Sequence, residues 1–242
     1  MLQAALNGDR PHRALPRTPR ELAAEAKAAV DSGAGSLHLH PYDDHGRETM
    51  AAEPCSRALR AVRAACPGTP ISLSTSAGIE PDVERRYALV AAWSHLPDLA
   101  TANQGEDGIL DLCELLIARG VGIEAGLLSL VDARRFVAAP IAGVCTRVMV
   151  EPLDRDPDDA VAHAGAIEQV VTRAGVPLEQ VHHGDGLASW AVNRRALARG
   201  HGIRTGLEDT PVLPDGRQAA GNGELVAAAA ALRAAAISED LV

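Results

Sequence analysis

Short apolar or alternating runs recur along the chain, separated by longer stretches with helical spacing of their apolar positions. The runs predict strands over 3–8, 36–41, 70–76, 99–104, 122–128, 147–153, 181–186 and 203–209. The helical stretches are clearly punctuated. In "TPRELAAEAKAAVDSG", Thr18 takes the N-cap, Pro19 the first helical position, Glu21 closes a capping box, and Gly33 stops the helix. "DPDDAVAHAGAIEQVVTRAG" repeats the device with Asp156, Pro157 and Asp159, and stops at Gly175. Gly120 and Gly200 end two further helices, and the Ala-rich stretch 226–236 reads as the last one.

Strict alternation of strand and helix, eight times, predicts a parallel sheet. Eight such units in 242 residues favour an α/β architecture, a single (β/α)8 TIM barrel, with 1–242 as one domain. A doubly wound open sheet is the alternative. The first strand is not followed by GxGxxG, which weakens a dinucleotide-binding version of it.

Composition sharpens this picture. Apolar residues make up 47% of the chain but only five are aromatic, so the core must be aliphatic, as suits strands sandwiched between helices. A net charge of −9 argues against nucleic acid or an anionic membrane as partner of the whole surface, because polyanions need a basic field. Cys55, Cys66, Cys113 and Cys145 are scattered without CxxC spacing, which predicts reduced thiols in a cytoplasmic protein. No apolar run reaches the roughly 18 residues that span a bilayer, and the N-terminus lacks a signal-peptide pattern.

The chemistry lies in what the strands point inward. In "SLHLHP" the leucines are expected to face the helices, which leaves His38 and His40 on the interior face, roughly 7 Å apart along the strand at ~3.3 Å per residue. In "IRTGLED", Arg204, Gly206 and Glu208 fall inside by alternation, and the direction of Asp209 is open. Strand eight lies two places from strand two in a closed barrel, so Glu208 can reach an ion held by the two imidazoles, giving a set of two histidines and one carboxylate with open positions. Both stretches end at the strand C-termini, the active face of such barrels. Plain structural readings stand beside these: hydrogen-bonded core histidines, a solvated Glu208, an Arg204–Asp209 ion pair without chemistry. Glu124 shares the inward face, and Ser76 is either a pocket hydroxyl or a helix cap. The histidines of "HHGDG" (182–186) are further ligand candidates, which keeps a metal hydrolase of amidohydrolase layout open. The only lysine, Lys27, lies inside the first helix, so a carboxylated lysine ligand is lacking. The loop after strand one carries Arg10, His12, Arg13, Arg17 and Arg20, a local basic rim suited to carboxylate or phosphate; Arg10 is nearest the barrel mouth.

Taken together, "ALNGDR", "TPRELAAEAKAAVDSGAGSLHLHPYDDHGRET", "ISLSTS", "IRTGLED" and "GNGELV" resemble the β-keto acid cleavage enzymes, in the same order and over nearly the whole chain. The resemblance implies a zinc-dependent barrel, homo-oligomeric (dimer or tetramer), that converts a β-keto acid and acetyl-CoA into acetoacetate and a new acyl-CoA. It implies His38, His40 and Glu208 as metal ligands, Arg204 and Asp209 as the pair that takes a proton from the substrate, and Ser74 beside the CoA thioester. It implies substrate contacts from Asn7, Arg10, Thr75, Thr101, Asn103 and Glu124. Arg10 stands where members acting on an amino-bearing substrate have an acidic residue, which favours an anionic or neutral polar tail here. Pro41 and Tyr42 replace an arginine of the family, and the segment around 140–160 is shorter, without its Gly-rich loop. A non-catalytic barrel binding small acids is the remaining alternative.

Overall fold

Eight parallel strands pair in chain order and the last pairs with the first, so the sheet closes. The structure, a computed structural model, describes residues 1–239. The strands are β1 Leu2–Ala5, β2 Ser36–Leu39, β3 Ile71–Ser74, β4 Leu99–Asn103, β5 Gly122–Leu127, β6 Arg147–Val150, β7 Glu179–His182 and β8 Gly202–Thr205. Between and after them run α1 Pro19–Asp31, α2 Ala52–Ala65, α3 Val83–Ala91, α4 Ile109–Ala118, α5 Leu130–Ala138, α6 Pro157–Arg173, α7 Ser189–Ala198 and α8 Asn222–Glu239. The (β/α)8 barrel read from the sequence is thus the fold.

The local signals act as expected. Thr18 caps α1 with both halves of the capping box in place, and the Asp156 side chain accepts from the N–H groups of Asp158 and Asp159 at the start of α6. Gly33, Gly120, Gly175 and Gly200 follow their helices with positive φ. Outward strand residues such as Leu37, Leu39, Leu73, Ile123, Val148 and Ile203 are fully buried against the helices. All four cysteines are buried free thiols. No described helix is long and apolar enough to cross a membrane.

The strands differ from the sequence pattern at their ends. Most stop two or more residues early, so His40, Thr75, Glu208 and Asp209 lie beyond the ladder. An extended segment keeps its alternation of buried residues after its neighbour has turned away, and the pattern therefore outlasts the pairing. β7 begins two residues earlier than expected, at polar Glu179 and Gln180, which an apolar criterion passes over.

Cross-strand register brings Gln3 opposite Arg204, His38 opposite Ser72, Ser74 opposite Thr101, Thr101 opposite Glu124 and Glu124 opposite Arg147. The barrel interior is therefore lined by a polar belt instead of the usual aliphatic layers. Such a belt holds only if its members satisfy one another. Gln3 Nε2 donates to Glu124 Oε1 at 2.7 Å, Thr101 Oγ1 donates to Oε2 at 3.1 Å, Ser72 also donates to Oε2, and Arg147 Nε lies 3.2 Å from Oε1.

Candidate active site

β2 and the segment after β8 build the centre of the site. His38 projects inward from the ladder, and His40 follows one pleat beyond it. Asn7 holds this extension: its Oδ1 accepts from the His40 N–H at 2.9 Å, while its Nδ2 donates to the carbonyls of His40 (2.8 Å) and Pro16 (2.9 Å). The chain after β8 turns at Gly206, whose carbonyl accepts from the N–H groups of Asp209 and Thr210. A Cβ at 206 would run into the Ala5 backbone, so glycine is required for this close approach. The turn breaks the strand alternation. Leu207 is buried, its N–H donating to Asn222 Oδ1, while Glu208 and Asp209 both address the barrel mouth. Asp209, whose direction the pattern left open, is inside.

Three ligand-type atoms converge. His38 Nε2 lies 3.2 Å from His40 Nε2 and 3.4 Å from Glu208 Oε2, and His40 Nε2 lies 3.5 Å from Glu208 Oε1. One atom from each residue falls within 4.8 Å of the others, as a shared cation requires. Glu208 Oε2 is buried and has no hydrogen-bond partner, which is the state of a ligand oxygen aimed at an ion. Two imidazoles and one carboxylate on one side form the donor set of a catalytic divalent metal. The far ring nitrogens are held too. His38 Nδ1 lies 3.2 Å from Thr101 Oγ1 and 3.4 Å from Ser72 Oγ. His40 Nδ1 lies 2.8 Å from Glu48 Oε1, in a bent ion-pair contact. Burial, with Arg204 nearby, pushes His38 well below the usual imidazole range. Burial also disfavours charge on His40, but Glu208 and Glu48 outweigh it and raise that ring to about 10.

Beside this trio, Arg204 Nη2 donates to Asp209 Oδ1 at 2.6 Å and to Glu208 Oε1 at 3.0 Å. Burial alone would raise the Asp209 carboxyl; Arg204 and His183 more than offset it and lower it to about 2. Arg10 donates from Nε to the Glu208 carbonyl at 3.1 Å and pairs with Asp185. The structure thus brings His38, His40, Glu208, Arg204, Asp209, Thr101 and Arg10 together.

Other expected contacts fall differently. Asn7, Thr75 and Glu124 are fully buried, and their polar atoms are spent on the protein: Asn7 on His40 and Pro16, Thr75 Oγ1 on the Thr101 carbonyl at 2.7 Å, and Glu124 on the belt beneath the site. Asn103 Nδ2 donates to Glu106 Oε1 at 3.0 Å, and Ser74 Oγ accepts from the Ser76 N–H at 3.4 Å; neither touches the His38–His40–Glu208 trio. Of the "HHGDG" histidines, His182 faces the helices, stacked on His201 and converging with it and Glu168 in a second set of ligand-type atoms, and His183 contacts Asp209; neither joins the trio at the barrel mouth, as an amidohydrolase layout requires. Ser72, Glu48 and Glu151 went unassigned in the sequence, and His183, a ligand candidate there, meets Asp209 instead. Ser72 was accessible through its i, i+2 spacing to Ser74; Glu48 lies in a loop without periodicity.

The family model for beta-keto acid cleavage enzymes (BKACE) matches residues 1–122 and 155–239. The chain belongs to the β-keto acid cleavage enzyme family. The segment between the matched parts, 123–154, carries β5, α5 and β6 and is where this chain departs from the family pattern. Among curated relatives, the 3-keto-5-aminohexanoate cleavage enzymes of Acetoanaerobium sticklandii and Fusobacterium nucleatum subsp. nucleatum are 27% and 28% identical. Each alignment covers 88% of this chain and 82% of the relative. The solved structures of ObcA resemble it at 20% identity, with TM-scores of 0.72 for the apo form and 0.74 for a ternary complex with a C4-CoA adduct and oxalate. They cover 94% of this chain, which spans only 62–64% of the ObcA chains. The candidate centre for β-keto acid cleavage here is the trio with the Arg204–Asp209 pair.

Proposed function

We propose that this protein is a zinc-dependent acyltransferase that takes a β-keto acid and acetyl-CoA to acetoacetate and a new acyl-CoA. The observation that carries the proposal is the convergence of His38, His40 and Glu208 beside Arg204 and Asp209. Zn2+ suits two imidazoles, a carboxylate and an open side. Bound there, the ion would polarise the keto and carboxylate oxygens of the substrate and acidify the carbon between them.

Asp209 is the base in this scheme. Arg204 and His183 both lie on Oδ1, and the buried Oδ2 has no hydrogen-bond partner, so Oδ2 is the atom free to take the proton. The resulting carbanion forms a bond to the thioester carbon of acetyl-CoA. The CoA sulfur then passes, within the adduct, to the former keto carbon. The bond between that carbon and the carbanion carbon breaks, which releases the new acyl-CoA, and acetoacetate recovers the proton from Asp209. Ser74 is assigned to the alkoxide that develops on the thioester side, and Thr101 and Asn103 to the pocket wall.

Arg10 sets the tail preference. A guanidinium at the mouth repels the ammonium of 3-keto-5-aminohexanoate and favours a carboxylate or hydroxyl; Asp185 engages its Nη2 and the Glu208 carbonyl its Nε, which leaves Nη1 for the tail. The ObcA complex with oxaloacetate, a β-keto dicarboxylate, supports the anionic choice. Assembly as a dimer or tetramer and a cytoplasmic location complete the proposal, the location supported by the free buried cysteines.

The test is a panel of β-keto acids with acetyl-CoA, following acetoacetate. Turnover is expected with anionic or polar tails, and Arg10→Glu should shift the preference toward an amino-bearing tail by at least about tenfold, the scale of one charge-assisted contact. A zinc-loaded protein that forms no acetoacetate from any member overturns the assignment.

A further inference from the structure

His183 follows β7 directly, and its N–H donates to the Val150 carbonyl at 3.1 Å, so the ring is anchored on the barrel rather than on a long loop. It is 1% exposed. Its Nδ1 lies 3.3 Å from Asp209 Oδ1, and its Nε2 lies 3.3 Å from Oε2 of Glu151, the residue following β6. Burial and Arg204 both disfavour charge on this ring, but Glu151 and Asp209 outweigh them and raise it to about 9. A second tie links the same elements: the Gly186 N–H donates to the Asp209 carbonyl at 2.7 Å. Glu151 lies in the segment outside the family match, so the family pattern does not supply this arrangement.

Resting on the assignment of Asp209 as the base, we propose that His183, backed by Glu151, is a positioning residue that fixes the Asp209 carboxylate. The terminal torsion of an aspartate is broad and two-fold, so one contact from Arg204 leaves the carboxylate free to rock. Arg204 and His183 meet the same oxygen, Oδ1, at 2.6 and 3.3 Å. Two grips on one oxygen define the plane of the group and leave Oδ2 as its working atom. Glu151 keeps the ring turned so that Nδ1, and not Nε2, meets Asp209.

A pair of isosteric variants separates this role from a structural one. An asparagine amide reproduces the Nδ1 end of histidine, and a glutamine amide the Nε2 end. His183→Asn therefore keeps the contact with Asp209 and loses Glu151, while His183→Gln does the reverse. We expect His183→Gln and His183→Ala to lower kcat by about 10²-fold, the scale of a misplaced catalytic group, with KM for the β-keto acid and zinc content unchanged. His183→Asn and Glu151→Gln should lose no more than about tenfold, and added imidazole should restore part of the activity of His183→Ala. Folding is checked by thermal melts of each variant. Wild-type-like kcat in folded His183→Gln, equal losses in the Asn and Gln variants, or a loss confined to KM would overturn the role of His183. A wild-type protein without turnover on the whole panel would instead overturn the assignment beneath it.

Discussion

Glu48 offers the sharpest check on the metal centre, because it touches no substrate and no ligand atom facing the ion. Its Oε1 lies 2.8 Å from His40 Nδ1 and has no hydrogen-bond partner. The antiparallel bridge between Tyr42 and Glu48 and the Tyr42 hydroxyl, which donates to the Gly8 carbonyl at 2.5 Å, hold that loop against the barrel. Unit charges at this separation interact by about 6 kcal/mol at an effective dielectric constant of about 20. A metal-bound imidazole carries roughly a third of a charge at its far N–H, which leaves about 2 kcal/mol. That is a factor of about 30 in affinity, within the 10- to 100-fold cost typical of losing the partner behind a ligating histidine. Glu48→Gln should therefore weaken zinc binding by about 10- to 30-fold, since the amide oxygen keeps part of the contact. The assay is competition with a chromophoric chelator at fixed pH, with His40→Ala as the control that loses the ligand itself. Zinc affinity within about twofold of wild type in Glu48→Gln, alongside a large loss in His40→Ala, would show that Glu48 does not tune the imidazole.

Two further outcomes follow from buried charge. Glu124→Ala strands Arg147 and the hydroxyls of Ser72 and Thr101, and should cost about 3–5 kcal/mol in urea unfolding while leaving KM of the folded fraction unchanged; a raised KM with a loss under about 1 kcal/mol would put Glu124 against the substrate instead. Glu168, bonded to Arg195, Arg199 and His201 behind the barrel, resists burial through these partners and is lowered to about 2. A depressed carboxyl contributes its stability in full above the unfolded value of about 4.5 and loses it as pH falls toward about 2. Glu168→Gln should thus cost about 2 kcal/mol at neutral pH, after a discount for solvent around Arg199, and less than half of that near pH 3; a gap between the two urea midpoints that stays constant with pH would contradict the ion-pair origin.

Periodicity and capping were enough for the architecture. The eight strands, the helix starts at Thr18 and Asp156 and the glycine stops are local signals, each decided by backbone conformation within a few residues, and eight repeats of one unit leave few ways to close a sheet. The inward face of β2 was legible for the same reason: His38 and His40 alternate with leucines that must meet the helices. The assignment of Arg204 and Glu208 to the same interior came from alternation too, though Glu208 arrives there by another route. The turn at Gly206, not a continued strand, carries both Glu208 and Asp209 inward, and no pattern of period two contains that geometry.

What lay outside reach of the chain's pattern is the pairing of side chains from distant elements. Glu124 has the alternation of a pocket residue, yet Gln3, Ser72, Thr101 and Arg147 close over it and make it the floor of the site. Asn7 and Thr75 look like pocket hydrogen-bonders, and closure of the barrel spends them on the His40 and Thr101 backbone. Glu48 reaches His40 from a loop, and Glu151 and His183 reach toward Asp209 from just past the ends of β6 and β7. A residue's face depends on its own backbone and is written locally; its partner depends on where seven other strands stop, and only the closed barrel sets that.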